Sequence, residues 1–325
     1  MKTKERLLTL LRSKGQLSMH EIANLLSFSR QYLHRIMQDL EDQKLVKKVG
    51  LPPKVYYSLD DKRTSETATS ISRDNEVFLN LHFMLINPLG ERLSGIEAMR
   101  YWCEKQTLPF SKTCLEFIET RSKYLQFFNS KGLIDGLPKL VNTKGLDIIA
   151  LDQLYYLDFY AIERFGKTPL GMLMHYAKQG QNKSMMKEIC TDIQQRISNL
   201  IAELQVDAVA FVPPTIPRKI QIMTEMRKHI ITGLPNFKIE KIKTPITIPQ
   251  KALSKLYERV SNAKNTFAIP VQKPVHRLLL IDDAVGSGAT MNEIAMQTKK
   301  KELAQFVFGV AITGSYKGFD VISEL

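Results

Sequence analysis

Apolar positions near the start of the chain recur at helical spacing. Leu7, Leu8, Leu10 and Leu11 form one stripe over residues 3–14, and Gly15 ends the run. Ser18 precedes Glu21 by the spacing of a capping box, which predicts a second short helix through Leu26. A tight turn at Ser27-Phe28 leads to a third helix, capped by Ser29, with Leu33, Ile36, Met37 and Leu40 on its inward face. Two short strand-like runs follow, Leu45–Val49 and Val55–Leu59, around Gly50-Leu51-Pro52-Pro53. Residues 60–75 are polar and carry no apolar period. They predict a linker, set at 63–75, after a first domain of residues 1–62.

Residues 76–149 read as helical but are interrupted by Pro88, Gly90, Gly95, Pro109, Gly132, Gly136 and Pro138. They predict a helical connecting module with no chemistry of its own. From about residue 150 the pattern changes. A long helix is expected over Lys183–Leu204, a strand over Asp207–Val212 ending at Pro213-Pro214, and a helix over Ile220–Ile230. The continuous apolar strand Leu278–Ile281 runs through Asp282-Asp283 and Gly286-Ser287-Gly288 into a helix starting at Thr290, and Phe306–Ile312 is a further strand. Continuous apolar strands alternating with helices predict an α/β domain over 150–325, a parallel sheet flanked by helices. There is no internal repeat.

Composition narrows the class. The chain has 325 residues, 44% of them apolar, and no apolar run approaches the ~18 residues of a spanning helix, so no membrane partner is expected. The basic N-terminus lacks a small-residue cleavage site and does not read as a signal peptide. Cys103, Cys114 and Cys190 are too few and too irregularly spaced for a disulfide framework or a zinc site, which fits a cytoplasmic protein. The formal charge is +13, of which residues 1–62 carry +5. A basic balance of this kind suits a polyanion, either nucleic acid or a phosphorylated ligand.

The sharpest chemistry lies in Arg277–Thr290. Ligands of open α/β sheets sit beyond the carboxyl ends of the strands, and here the strand delivers Asp282 and Asp283 to that end. Gly286 and Gly288 let the backbone turn its N–H groups inward. Val285, Gly286, Ser287, Gly288, Ala289 and Thr290 thus form a candidate phosphate nest at a helix N-terminus. Ser287 and Thr290 add hydroxyls, and Thr290 with Glu293 has capping-box spacing. The carboxylates suit ribose hydroxyls, or a magnesium ion on the far side of the sugar, better than the phosphate itself. No Lys follows Gly288, so the nucleotide triphosphate loop is absent.

Ile281–Thr290 resembles the 5-phosphoribosyl-1-diphosphate (PRPP) motif of type I phosphoribosyltransferases. Val209–Pro214 with Pro217-Arg218-Lys219 is similar to the first strand and diphosphate loop of the ComF-like branch. Pro249-Gln250-Lys251, Leu253-Ser254, Arg259, Asn262 and Phe267 resemble its middle segment. The resemblance covers about 150–313. It implies a phosphoribosyltransferase-like fold in which Asp282 and Asp283 face the ribose and Pro214, Arg218 and Lys219 face the diphosphate. Magnesium would be carried through PRPP rather than held in a protein cage. The four-cysteine zinc module with which that family usually opens has no counterpart here, and no zinc is expected. Gly286 stands where the family commonly has Thr, which removes one hydroxyl donor and leaves the backbone nest.

Three helices and a hairpin in about sixty residues is the order of a winged helix-turn-helix, and residues 1–60 resemble that DNA-binding domain of bacterial regulators. Opposite its apolar stripe the third helix presents Arg30, Gln31, His34, Arg35 and Gln38, residue types that hydrogen-bond base edges. Ser29 and Tyr32 can reach phosphates, and Lys47, Lys48 and Lys54 bracket the hairpin. The resemblance implies DNA as partner and a homodimer on two half-sites.

Two functions stay open at this point. One is a DNA-binding regulator that senses PRPP or a nucleotide. The other is an active phosphoribosyl- or ribosyl-transferase tethered to nucleic acid. Paired modules of these two kinds also resemble effectors of bacterial phage-defence (retron) systems. His175, His229 and His276 are all candidates for activating an acceptor, and the sequence favours none.

Overall fold

The computed structural model describes residues 3–43, 45–49, 55–59, 71–143, 146–242, 262 and 264–317. The chain divides into two units, Met1–Ile71 and Ser72–Leu325.

The first unit holds α1 (Thr3–Lys14), β1 (Leu17–Ser18), α2 (Met19–Leu26), α3 (Arg30–Asp42), β2 (Val46–Val49) and β3 (Tyr56–Leu59). The expected capping box is present: Ser18 Oγ accepts from the Glu21 amide at 3.3 Å, and Glu21 Oε2 accepts from the Ser18 amide at 2.7 Å. Ser27 adopts a left-handed φ of 57°, which ends α2, and Ser29 Oγ accepts from the Tyr32 amide to start α3. The strands pair antiparallel in the order β1-β3-β2. Leu7, Leu11, Ile22, Leu33, Met37, Leu40, Val46 and Tyr57 pack beneath them. Each large apolar side chain in this core contributes about 1.5–3 kcal/mol by leaving water.

The second unit begins with α4 (Arg73–His82), β4 (Met84–Ile86), β5 (Arg92–Ser94), α5 (Gly95–Gln106), α6 (Phe110–Leu125), β6 (Ile134–Asp135) and α7 (Leu137–Val141). It continues with β7 (Gln153–Phe159), β8 (Ala161–Ile162), β9 (Gly166–Lys167), α8 (Pro169–Gln179), α9 (Lys183–Glu203), β10 (Ala208–Phe211) and α10 (Ile222–His229). The last elements are β11 (Glu240–Lys241), β12 (Phe267–Ala268), β13 (Val275–Val285), α11 (Ala289–Lys300) and β14 (Ala304–Gly314).

Two expected boundaries are corrected. The linker set at 63–75 does not reach 75. Ser72 Oγ accepts from the Asn75 amide, and Asp74 and Glu76 suit the first helical turn, so α4 begins at Arg73. Residues 60–70 lie outside the described residues. The break expected at 149/150 is absent. The segment 76–149, expected as a separate helical module, supplies β6, which pairs antiparallel with β7 through Ile134–Tyr156 and Asp135–Tyr155.

The main sheet runs β10-β13-β14-β7-β6, and its first four strands are parallel. Alternation along the strands sets two faces. Leu279 and Ile281 of β13 and Phe308, Val310 and Ile312 of β14 share a core with residues of α8, α9 and α10. On the other face Gly309 lies against Met291 of α11 and Leu154 of β7. Thus α10, which follows β10, and α11, which follows β13, cover opposite faces. The chain leaves the carboxyl ends of these two neighbouring strands toward opposite faces, the place where open α/β sheets form a binding crevice.

Candidate functional site

A cavity of about 320 Å³ opens in that crevice. Pro213 and Pro214 follow β10; lacking amide protons, they cannot extend its ladder. The segment after them is fastened by three bonds. The Ile220 amide donates to Gln181 Oε1 at 2.9 Å, Gln221 Nε2 to the Ile216 carbonyl at 2.9 Å, and Lys241 Nζ to the Thr215 carbonyl. These place Pro214 and the partly buried Arg218 on one wall. Lys219 is exposed and does not line the cavity.

The other wall is the end of β13. This strand is longer than its apolar core predicts, because Ala284 and Val285 still pair with Thr313 and Gly314. The carboxylates therefore lie within the strand, and alternation sends them to opposite faces. Asp283 has the parity of Leu279 and Ile281 and turns toward α8. Asp282 has the parity of Leu278 and Leu280 and turns toward α11. Both line the cavity, as do Val285, Gly286, Ser287, Gly288, Ala289 and Thr290.

Gly288 is the N-cap of α11, with a left-handed φ of 77°. Gly286 is not left-handed, so the turn rests on one glycine rather than two. A Cβ on Gly288 would come within 2.5 Å of Leu140 Cδ1, so the position demands glycine for space as well as for φ. The expected Thr290–Glu293 capping box does not form. With Gly288 as the cap, Thr290 is already inside the helix. Glu293 is buried, with Oε1 accepting from Gln297 Nε2 at 3.0 Å and Oε2 without a partner. Amides of the first turn have no acceptor within their own helix, and at α11 they belong to Ala289, Thr290 and Met291, which line the cavity. Ser287 Oγ accepts from the Ala289 amide at 3.5 Å.

Sequence reasoning missed Lys178. It stands in the last turn of α8, and its Nζ forms a salt bridge to Asp283 Oδ2 at the cavity wall. The electrostatics of the carboxylates follow. Burial, reinforced by the adjacent Asp283 carboxylate, pushes Asp282 up to about 7, against the Asp283 amide that donates to its Oδ1 at 2.8 Å. Among the described residues the charged side chains lining the cavity are Lys178, Arg218, Asp282 and Asp283. Among the described residues no group of three or more His, Cys, Asp and Glu is placed to hold a metal. With Asp283 engaged by an ammonium group, the carboxylate pair does not fit a magnesium ion held by the protein.

In the expected middle segment, Pro249, Gln250, Lys251, Leu253, Ser254 and Arg259 lie outside the described residues. Phe267 of β12 lines the cavity, and the Asn262 carbonyl accepts from Thr266 Oγ1. None of the three histidines lines it. The His175 ring faces Tyr160 Oη at 3.1 Å, His229 faces Glu225 at 3.6 Å, and His276 packs edge-on to Phe306.

On the first unit Arg30, Gln31, Tyr32, His34, Arg35 and Gln38 are all exposed along α3. Arg30 Nη2 is bonded to His20 Nδ1, which ties the start of α3 to α2. Gln38 Nε2 donates to Asp42 Oδ1 at 3.2 Å, and Ser29 is occupied as the helix cap. Lys48 pairs with Glu41 at 2.7 Å, which raises its pKa, and lies 5.9 Å over the Tyr57 ring. A phosphate would have to compete with Glu41 for it. Lys47 is exposed on the opposite side of β2, and Lys54 lies outside the described residues. Among the described residues no helix is long and apolar enough to cross a membrane. No protein-family model matches this chain, and no curated protein matches its sequence.

Proposed function

We propose that the second unit binds PRPP or a related ribose phosphate and that the first binds DNA, so that the chain is a DNA-binding regulator sensing that ligand. The observation that carries the reading is the crevice between β10 and β13. Along it lie the residues singled out for phosphate and ribose and, of those singled out for diphosphate, Pro214 and Arg218 but not Lys219, from segments about seventy positions apart. The α11 N-terminus would take the 5-phosphate, the carboxylates the ribose hydroxyls, and Pro214 with Arg218 the diphosphate. The parallel sheet with helices on both faces supports a phosphoribosyltransferase-like fold. For the first unit, three helices closed by the β1-β3-β2 sheet support a winged helix, with α3 as the helix that enters the major groove. Binding as a homodimer on two half-sites follows from the same reading, and a monomer by solution scattering would count against it.

One observation favours turnover as a second reading. Asp282, pushed up to about 7, titrates where a general acid or base works best. In a transferase the bond from ribose C1 to diphosphate would break, the diphosphate leaving with the electron pair. An acceptor would bond to C1 and pass its proton to the Asp282 carboxylate, with Arg218 stabilising the departing charge. Calorimetry with PRPP and magnesium, alongside a diphosphate-release assay, separates the two. A sensor binds PRPP, changes its DNA affinity and releases nothing. An absence of binding to both PRPP and ribose 5-phosphate removes both.

A further inference from the structure

The carboxylate pair poses an electrostatic problem. A ribose phosphate brings a dianion to the α11 N-terminus, a few residues along the chain from Asp282 and Asp283, and like charges at short range in a partly buried site repel strongly. A divalent cation shared between carboxylates and substrate phosphates is one solution. Here a side chain already stands at the carboxylates: Lys178 Nζ is bonded to Asp283 Oδ2 on the cavity wall. Its position follows from the fold. Alternation in β13 turns Asp283 toward the face covered by α8, and the last turn of α8 carries Lys178 and Gln179 to the cavity mouth. The first turn of α8 is anchored by Thr168, whose Oγ1 accepts from the Gly171 amide at 3.0 Å and donates to the Phe159 carbonyl at 2.6 Å, so the helix has a fixed start.

We infer that Lys178 is the built-in cation of this site, so that the ribose 5-phosphate half of a ligand binds without a divalent metal at the carboxylates. The inference rests on the sugar-phosphate reading above and specifies its charge chemistry. An ionised carboxylate accepts about four hydrogen bonds, so Asp283 paired through Oδ2 retains capacity for a ribose hydroxyl. The ammonium lowers the net charge of the pair and leaves the phosphate nest a less negative neighbour. Magnesium, where it enters, travels on the diphosphate half of the ligand. Asp282 being pushed up to about 7 acts in the same direction, since a partly protonated carboxyl repels less.

The test is calorimetry of the full chain with ribose 5-phosphate and with PRPP, each in EDTA and in magnesium. For the wild-type chain, ribose 5-phosphate affinity is expected to be the same in both buffers. Lys178→Met is expected to weaken it by about tenfold or more in EDTA, the scale of one charged hydrogen bond, with recovery in magnesium as the metal takes the position at Asp283. Lys178→Arg is expected to stay close to wild type. A merely structural lysine would give the same loss in both buffers. If wild-type binding of ribose 5-phosphate collapses in EDTA, or Lys178→Met binds normally there, the inference is overturned while the sugar-phosphate reading stands. If neither ligand binds the wild-type chain in either buffer, that reading itself falls. The wild-type comparison needs no variant, so it holds even if Lys178→Met folds poorly.

Discussion

Leu140 of α7 fills the space beside Gly288, the residue on which the loop between β13 and α11 turns. Two independent demands meet at that glycine: a left-handed φ of 77° and the absence of a Cβ that would lie 2.5 Å from Leu140 Cδ1. Gly288→Ala is therefore expected to lower stability by about 2 kcal/mol or more, from left-handed strain and overpacking together. Urea denaturation measures the loss. Adding Leu140→Ala should return only the overpacking part, since the φ strain remains. Equal stability of wild type and Gly288→Ala would show that the loop is not built this way.

Replacing both carboxylates, Asp282→Asn with Asp283→Asn, is expected to abolish PRPP binding and to leave the DNA gel shift unchanged. The first unit folds on its own core, with no residue of β13 in it. Unaltered PRPP affinity by calorimetry would mean that the ribose hydroxyls are held elsewhere.

The raised pKa of Asp282 has a signed consequence for stability. An unfolded aspartate ionises near 3.8 and the folded one near 7, so the folded state binds more protons between those values. The contribution of Asp282 is fully present below the unfolded value and is lost as pH rises through about 7. Denaturation midpoints measured from pH 5 to pH 8 should fall with a slope that Asp282→Asn removes. A variant that keeps the wild-type slope would assign the titration to another group.

On α3, Arg30→Ala together with Arg35→Ala is expected to weaken DNA binding by about 1–3 kcal/mol for each arginine–base pairing removed. Arg30 also bonds His20, so thermal unfolding should accompany the gel shift to separate weaker base recognition from a loosened helix. A gel shift equal to wild type would move the DNA surface away from α3.

Much of this architecture is written locally. Ser18 with Glu21 and Ser29 mark their helix starts by side-chain chemistry within one turn, and those helices begin where expected. The glycine-bearing run after β13 marks its own turn. The unread parts depend on distant neighbours. Lys178 meets Asp283 across 105 positions, and nothing in the last turn of an amphipathic helix distinguishes it from a solvated lysine. Gln153–Phe159 is a short apolar and aromatic run whose periodicity does not separate strand from buried helix; its place between β14 and β6 decides. Thr290 and Glu293 had the spacing of a cap, but a left-handed Gly288 just upstream took the position.

The strand β6 is only two residues long and carries no site chemistry, yet it shields the outer backbone of β7. An uncovered strand flank invites pairing with other chains. A fragment trimmed to residues 150–325 would keep every cavity residue and lose this guard, together with Leu140. Such a fragment is expected to self-associate and to hold the loop at Gly288 less firmly, which size-exclusion chromatography and urea denaturation would show. The segment expected as a connecting module thus belongs to the same compact unit as the site.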